Sequence, residues 1–361
     1  MKILALDIGT GTQDILLFDS STTIENCLKM VMPSPTAIAA KRISQATKER
    51  RAIALTGTNM GGGPSTGAAA THIQSGLPVY ATVEAATTFN DDMNEVKAMG
   101  ITLVSEDEIK KLKNTIDIEL KDLDIEMVST ALESFGVETQ WDALAVAVFD
   151  HGDSPSGYSD RRFRFDHLRN QVYSGSRNIR SSCYLEEDLP EYMTRMVAVS
   201  RSNDLNIPTL FMNTAEAAVL GSLEDKHVAS QNTKVVANLG NEHTLAFYLD
   251  GETIQGLFEH HTHLLQKDKL EKYIDSLVKG DLDNETIWND HGHGSIVLDG
   301  GPQDYFLSVT GPMRYMLEGS RLNPYFATPH GDMMLAGSFG LIRAWAEKNL
   351  SWREEILNSL R

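Results

Sequence analysis

Leu6-Asp7-Ile8-Gly9-Thr10-Gly11-Thr12-Gln13-Asp14, close to the start of the chain, has a counterpart in Ala237-Asn238-Leu239-Gly240-Asn241-Glu242-His243-Thr244-Leu245. Each stretch follows an apolar run, Ile3 to Leu6 or Val235 to Ala237. Each leads into another, Ile15 to Phe18 or Leu245 to Leu249. Strand, glycine-bearing turn, strand is the plain reading of both. Glycine puts no side chain between the backbone N–H groups and an anion, so such a turn can receive phosphate oxygens. Its occurrence twice, in matching contexts, predicts two similar half-molecules gripping one phosphate chain from opposite sides.

Outward from the first turn, residues 2–8, 12–18 and 24–31 read as three strands, and 33–51 as a loop and a helix. Ala52 to Leu55 is a short buried strand running into Gly61-Gly62-Gly63-Pro64, with a helix behind it. Ala143 to Phe149 is a continuous apolar run, the pattern of a strand buried on both faces, and it ends in Asp150-His151-Gly152. Residues 153–188 are polar and arginine-rich and read as a loop-rich insertion. From 234 the order repeats: three strands to 258, a helix at 268–279, a strand at 304–309 and helices at 312–318 and 332–348. The expected organisation is a first domain over 1–230, with insertions at about 58–140 and 153–188. A second domain covers 231–361, with an insertion at about 281–302.

A chain of 361 residues with 41% hydrophobic content can fill two cores. Its net charge of −18 argues against nucleic acid and anionic membrane surfaces as partners. Any anionic ligand must then be held by local dipoles, a metal or a few arginines. Cys27 and Cys183 are the only cysteines. A lone distant pair implies no disulfide framework and fits a reducing cytosol. The opening MKILALDIG is too soon interrupted by Asp7 for a signal peptide.

These residues resemble the actin, sugar-kinase and heat-shock-chaperone ATPase superfamily. Its two phosphate motifs look like Asp7 to Thr12 and Asn238 to Thr244. Its connecting helices are similar to Asn213 to Gly221 and Gly331 to Ser338, and its adenosine motif to Phe306 to Arg314. The resemblance implies an α/β fold of two ribonuclease-H-like domains with an interdomain cleft holding ATP and magnesium. It places Asp7 beside hydrated magnesium. Gly9, Thr10, Gly11 and Thr12 would contact the nucleotide from one side. Asn238, Gly240, Asn241 and Thr244, with Gly311, Pro312 and Arg314, would contact it from the other. The chain also resembles a prokaryotic family of unknown function labelled pyruvate formate-lyase activating enzyme, through Met60 to Pro64, Phe258 to His263 and Gly292-His293-Gly294. A radical iron–sulfur site needs clustered cysteine thiolates, which Cys27 and Cys183 cannot supply. One departure from the superfamily matters: its second phosphate loop starts with Asp, and here the residue is Asn238. An amide cannot serve as a carboxylate base or hold a magnesium-bound water as strongly.

Several residues stand out for chemistry. Asp150 ends a buried strand, where α/β sheets place functional groups, and would be a base for an acceptor hydroxyl with His151 orienting it. The bland account is an Asp capping the turn at Gly152. Gly61, Gly62, Gly63 and Ser65 would bind the acidic end of a substrate, or simply join a strand to a helix. His-x-His spacing makes His261 with His263, or His291 with His293, candidate metal ligands. Three functions fit: an ATP-dependent phosphotransferase on a small polar metabolite, an ATP-gated activator or partner protein with little turnover, or a metal-dependent enzyme that has lost nucleotide use.

Overall fold

Near-continuous burial marks the first two strands. In the computed structural model, which describes residues 1–301 and 304–361, β1 (Lys2–Ile8), β2 (Thr12–Asp19) and β3 (Leu28–Pro33) form an antiparallel meander. β3 begins later than the expected residue 24, because Ile24–Asn26 forms a 3-10 turn that tucks Ile24 into the core.

The chain then leaves this sheet. β4 (Ala52–Gly57), β5 (Val79–Ala81), β6 (Ile101–Leu103) and β7 (Thr115–Leu120) make a separate parallel sheet in the order 6-5-4-7. β4 lies ahead of the insertion expected from about 58, yet it is an inner strand of this sheet, paired with β5 and β7. Its apolar run suits either sheet, and only the pairing decides. β7 adds to the expected elements. Ile116, Ile118 and Leu120 alternate with Asp117 and Glu119, the half-buried pattern of an edge strand.

β8 (Ala143–Val148) returns between β1 and β10 and is buried at every position, because Ala143, Ala145 and Ala147 pack into one core and Leu144, Val146 and Val148 into another. β9 (Cys183–Leu185) and β10 (Thr209–Met212) complete a sheet of order 3-2-1-8-10-9. The segment expected to be loop-rich contains a 15-residue helix, Asp160–Ser174. Phe165, Leu168 and Val172 recur at helical spacing and pack into the main core.

The second half repeats the plan. β11 (Thr233–Leu239), β12 (His243–Asp250) and β13 (Thr253–His261) form a second meander. β14 (Gly294–Val297) lies outside β13, while β15 (Phe306–Thr310) and β16 (Tyr325–Phe326) run parallel to β11. The sheet order is 14-13-12-11-15-16. Its insertion, expected over about 281–302, carries the helix Asn284–Asn289 and β14; residue 302 lies outside the described residues. Five strands in each half, 3-2-1-8-10 and 13-12-11-15-16, share one arrangement in which only the second strand is reversed. The fold is therefore α/β, with two ribonuclease-H-like domains. β1 and β11 also show the same residue-by-residue burial, so Asp7 and Asn238 occupy equivalent places.

Two helices join the halves. Thr214–Ser222 is buried at eight consecutive residues, so it lies among packed elements on all sides. It crosses Ala336–Lys348 at backbone distance. A Cβ on Gly221 would overlap the Ala336 carbonyl oxygen, and one on Gly340 would overlap the Ala217 carbonyl oxygen. Among the described residues, no helix is long and apolar enough to cross a membrane.

This crossing predicts opposite effects for two similar substitutions. Gly221→Ala should lose about 1–3 kcal/mol in urea unfolding, from overpacking that neither backbone can relieve. Gly67→Ala, on an exposed helical face with nothing within 4 Å, should gain about 0.5–1 kcal/mol.

Candidate functional site

The glycine turns close identically. Gly9 N–H donates to the Thr12 carbonyl and Gly240 N–H to the His243 carbonyl, both at 2.9 Å. The two turns meet across a cleft of about 550 Å³: a Cβ on Gly11 would stand 2.8 Å from the Asn241 amide nitrogen. Gly9, Thr10, Gly11, Thr12, Asn238, Gly240 and Asn241 line it, as do Gly311 and Pro312. Gly311 has φ +96° and lies against the Leu239 carbonyl, an approach that a side chain would prevent. Two expected contacts are placed elsewhere. Thr244 is buried and bonded to the Thr262 hydroxyl at 3.0 Å. Arg314 donates to the Gly311 carbonyl at 3.3 Å, so it braces the turn from outside the cleft lining.

Asp7 and Asp14 are cross-strand neighbours at the cleft floor. An oxygen of each, Oδ1, has no hydrogen-bond partner among the described residues. Burial first, and then the Asp14 charge, push the Asp7 carboxyl well above its usual range. Burial likewise lifts Asp14 to about 7. The start of the helix Ala336–Lys348 is also tight here: a Cβ on Gly337 would overlap the Asp7 carboxylate. Two unpartnered carboxylate oxygens facing one space are a fitting donor set for magnesium, a hard cation that takes oxygen ligands.

The third wall comes from the inserted sheet. Gly61, Gly62 and Gly63 line the cleft, and Gly63 opens the helix Gly63–Gln74 with Pro64 beside it. Arg195 holds this turn. Its guanidinium grips Asp122 at 2.6 and 2.9 Å, donates to the Phe149 carbonyl at 2.8 Å, and leaves no room for a Cβ on Gly61. Ser65 does not reach the cleft; it is buried and donates to the Gly62 carbonyl at 2.6 Å.

Asp150 takes the capping role. One of its oxygens accepts from Gly152 N–H and the other from Met196 N–H, each at 2.8 Å. These bonds give the capping account its geometry, and burial raises the Asp150 carboxyl above its usual range at the cleft lining. Both oxygens already fix a turn and the start of the helix Thr194–Arg201, and what they position is His151.

His151 joins His243 and His293, with ring nitrogens all within 4.8 Å of one another. His291, one residue from Gly292, points away: it is exposed, with φ +64°. Of the expected His291–His293 pair, His293 belongs to this trio, and His291 lies outside it on an exposed left-handed turn. Burial pushes His151 down to about 3, and His243 and His293 well below the usual histidine range, so all three rings are neutral at pH 7. Behind them lies a buried pair. Arg164 Nε contacts the Glu259 oxygens at 2.9 and 3.2 Å. The guanidinium also covers the Phe149 ring at 4.1 Å, and that ring stacks on His243 at 4.0 Å.

The sequence reading takes Arg164 only as one of the arginines of 161–180 that would clamp a carboxylate or phosphate or form a solvated basic loop, and it gives no separate role to Arg195, Asp122, Glu259 or His243. Arg164 could have been found from the helical spacing of Phe165, Leu168 and Val172. The others carry no local signal, because their partners lie 46 to 95 residues away.

Two facing glycine turns thus sit on two ribonuclease-H-like domains of matching strand order. The chain belongs to the family described as "Putative pyruvate format-lyase activating enzyme (DUF1786)", matched over residues 60–316. Its two free cysteines, Cys27 and Cys183, are each buried and offer no thiolate cluster for an iron–sulfur centre. No curated protein matches the chain by sequence. Among solved structures it is similar to the ethanolamine utilization protein EutJ from Carboxydothermus hydrogenoformans, at 10% identity and TM-score 0.35, over 94% of this chain and 89% of that one. It is also similar to the activator of 2-hydroxyisocaproyl-CoA dehydratase from Clostridium difficile with bound ADPNP, at 8% identity and TM-score 0.37, over 98% of each chain. A third is the ROK hexokinase from Thermus thermophilus, at 12% identity and TM-score 0.32, over 97% of this chain and all of that one.

The cleft floor predicts a pH dependence. Folding raises the Asp14 pKa, so the folded protein keeps a proton that the unfolded chain releases above about pH 4. Stability from this group is complete below that value and is lost as pH rises through about 7. Without magnesium or nucleotide, Asp14→Asn should be more stable than wild type at pH 8 by about 1–3 kcal/mol. That advantage should vanish below pH 4 in urea titrations.

Proposed function

We propose that the chain binds a magnesium nucleoside triphosphate in this cleft and transfers its terminal phosphoryl group to a small polar metabolite. One observation carries the reading furthest: two equivalent glycine turns face each other over a pair of buried, unpartnered carboxylates. Phosphoryl transfer asks a protein mainly for positioning and charge stabilisation. Backbone N–H groups at Gly9 to Thr12 and at Gly240 to Asn241 would hold the phosphate oxygens. Asp7, with Asp14 beside it, would hold magnesium, which supplies positive charge to the phosphates. Gly311 and Pro312 would border the nucleoside. The acceptor would lie towards Gly61 to Gly63.

Electrostatics make the metal obligatory in this reading. Asp7, Asp14, Asp91, Asp150, Asp160 and Glu242 line the cleft against a single arginine, Arg195. A triphosphate entering alone would meet repulsion at close range in a low dielectric. Asn238 favours a second reading, an ATP-gated partner or activator protein, because it leaves the second loop without the carboxylate that would orient a hydrolytic water.

Melting experiments test the nucleotide directly. Mg-ATP or Mg-ADP at a hundredfold excess over Kd should stabilise the protein by about 2.7 kcal/mol. ATP in chelator should give no shift, and Asp7→Asn should abolish the magnesium requirement together with tight binding. A shift of equal size in chelator would sink the proposal. Turnover separates the two readings. If the missing carboxylate limits hydrolysis, Asn238→Asp should raise ATP turnover and leave nucleotide affinity within a few-fold. A wild-type rate on the order of 10 per second would show that another residue already does that job.

A further inference from the structure

We infer that His151, His243 and His293 form a binding site for a late first-row divalent metal ion, zinc foremost, with one coordination position open to the cleft for an oxygen of the second substrate. Three separate elements converge here. His151 follows β8, His243 opens β12, and His293 precedes β14, so both halves of the molecule contribute.

The spacing suits a shared ion. Two nitrogens on one tetrahedral zinc, with bonds of about 2.05 Å, stand about 3.3 Å apart. The Nε2 atoms of His151 and His293 are 3.3 Å apart. A hydrogen bond between those two rings would account for one pair and leave the third ring's nitrogen, within 4.8 Å of both, without a reason to be there. His293 Nδ1 is buried with no partner among the described residues. Neutral imidazoles are the donors that zinc, nickel, copper and iron(II) prefer.

The surroundings hold the rings in place and leave room for positive charge. Phe149 stacks on His243 with an interplanar angle of 2°. His293 is flanked by glycines that space requires: a Cβ on Gly292 would stand 2.6 Å from the His260 ring, and one on Gly294 would stand 2.5 Å from the Asn284 side chain. Glu259 stands 3.5 Å from His293 Nε2, and Glu216 stands 3.7 Å from Arg164 with neither of its oxygens hydrogen-bonded. Two buried carboxylates thus face one guanidinium, and a divalent ion at the histidines would supply the missing positive charge. His261 and His263 line the cleft beside the trio, with the His261 ring 4.8 Å from that of His293. The open position faces that space, where a carboxylate or carbonyl oxygen could be gripped and polarised.

This site does not depend on the nucleotide reading, and it is tested without nucleotide. Protein carrying no histidine tag is stripped with chelator and titrated with Co(II) as the probe. The expected result is about one equivalent bound, with the visible bands of four-coordinate cobalt and three imidazoles shifted by the ion in proton NMR. His151→Asn and His243→Gln should each weaken cobalt binding by at least about tenfold while keeping the metal-free melting temperature. His291→Ala should bind as wild type does. Less than about a tenth of an equivalent bound to wild type, two or fewer shifted imidazoles, or an equal loss in His291→Ala would overturn the assignment. The NMR count uses the unaltered chain, so the test stands even if a substituted protein fails to fold.

Discussion

The molecule depends on two helices touching backbone to backbone. Gly221 and Gly340 let Thr214–Ser222 and Ala336–Lys348 cross with no side chains between them. Each helix belongs to one half, and each runs from the cleft wall. Their close approach brings β1 and β11 near enough for Gly11 to meet Asn241. It also sets Gly337 against the Asp7 carboxylate. Wider spacing, such as two alanines would impose, would part the glycine turns and open the cleft floor. Packing and site geometry therefore share one constraint, because an interior at crystal-like density cannot absorb an added methyl group without moving backbone.

Charge is the second organising fact. The acidic excess of the whole chain continues into the cleft, where carboxylates are held without partners and at raised pKa. Such groups weaken the protein at neutral pH, and perturbed carboxyls of this kind cluster at functional sites. The positive side chains nearby are already committed. Arg195 is tied to Asp122, and Arg164 is buried on Glu259. Cleft chemistry thus falls to backbone dipoles, to cations brought in with the ligands, and to neutral imidazoles.

The halves are alike in backbone and different in chemistry. Position for position, Asp7 answers to Asn238, Thr10 to Asn241 and Thr12 to His243. The first turn offers a carboxylate and hydroxyls. The second offers amides and an imidazole that looks across to His151 and His293. One repeated backbone plan accounts for the paired turns, and the differences at these few positions separate a carboxylate floor from a histidine-lined wall.

Local pattern determined much of this. Alternating and continuous apolar runs marked both meanders and the fully buried β8. The paired glycine turns located the cleft and named two facing segments of its lining, because turn chemistry is written in adjacent residues. The turn at Gly152 also identified Asp150 as a cap, one of the two roles its position allows. Tertiary structure decided the rest. It assigned β4 to the inserted sheet, since a four-residue apolar run fits any sheet and pairing is non-local. It buried Arg164, whose neighbours in sequence look solvated. It set His291 aside and chose His151 and His243 as companions for His293. Those three rings come from positions 151, 243 and 293, and no spacing rule reaches across such distances. Only the closure of two sheets over a shared cleft makes them neighbours.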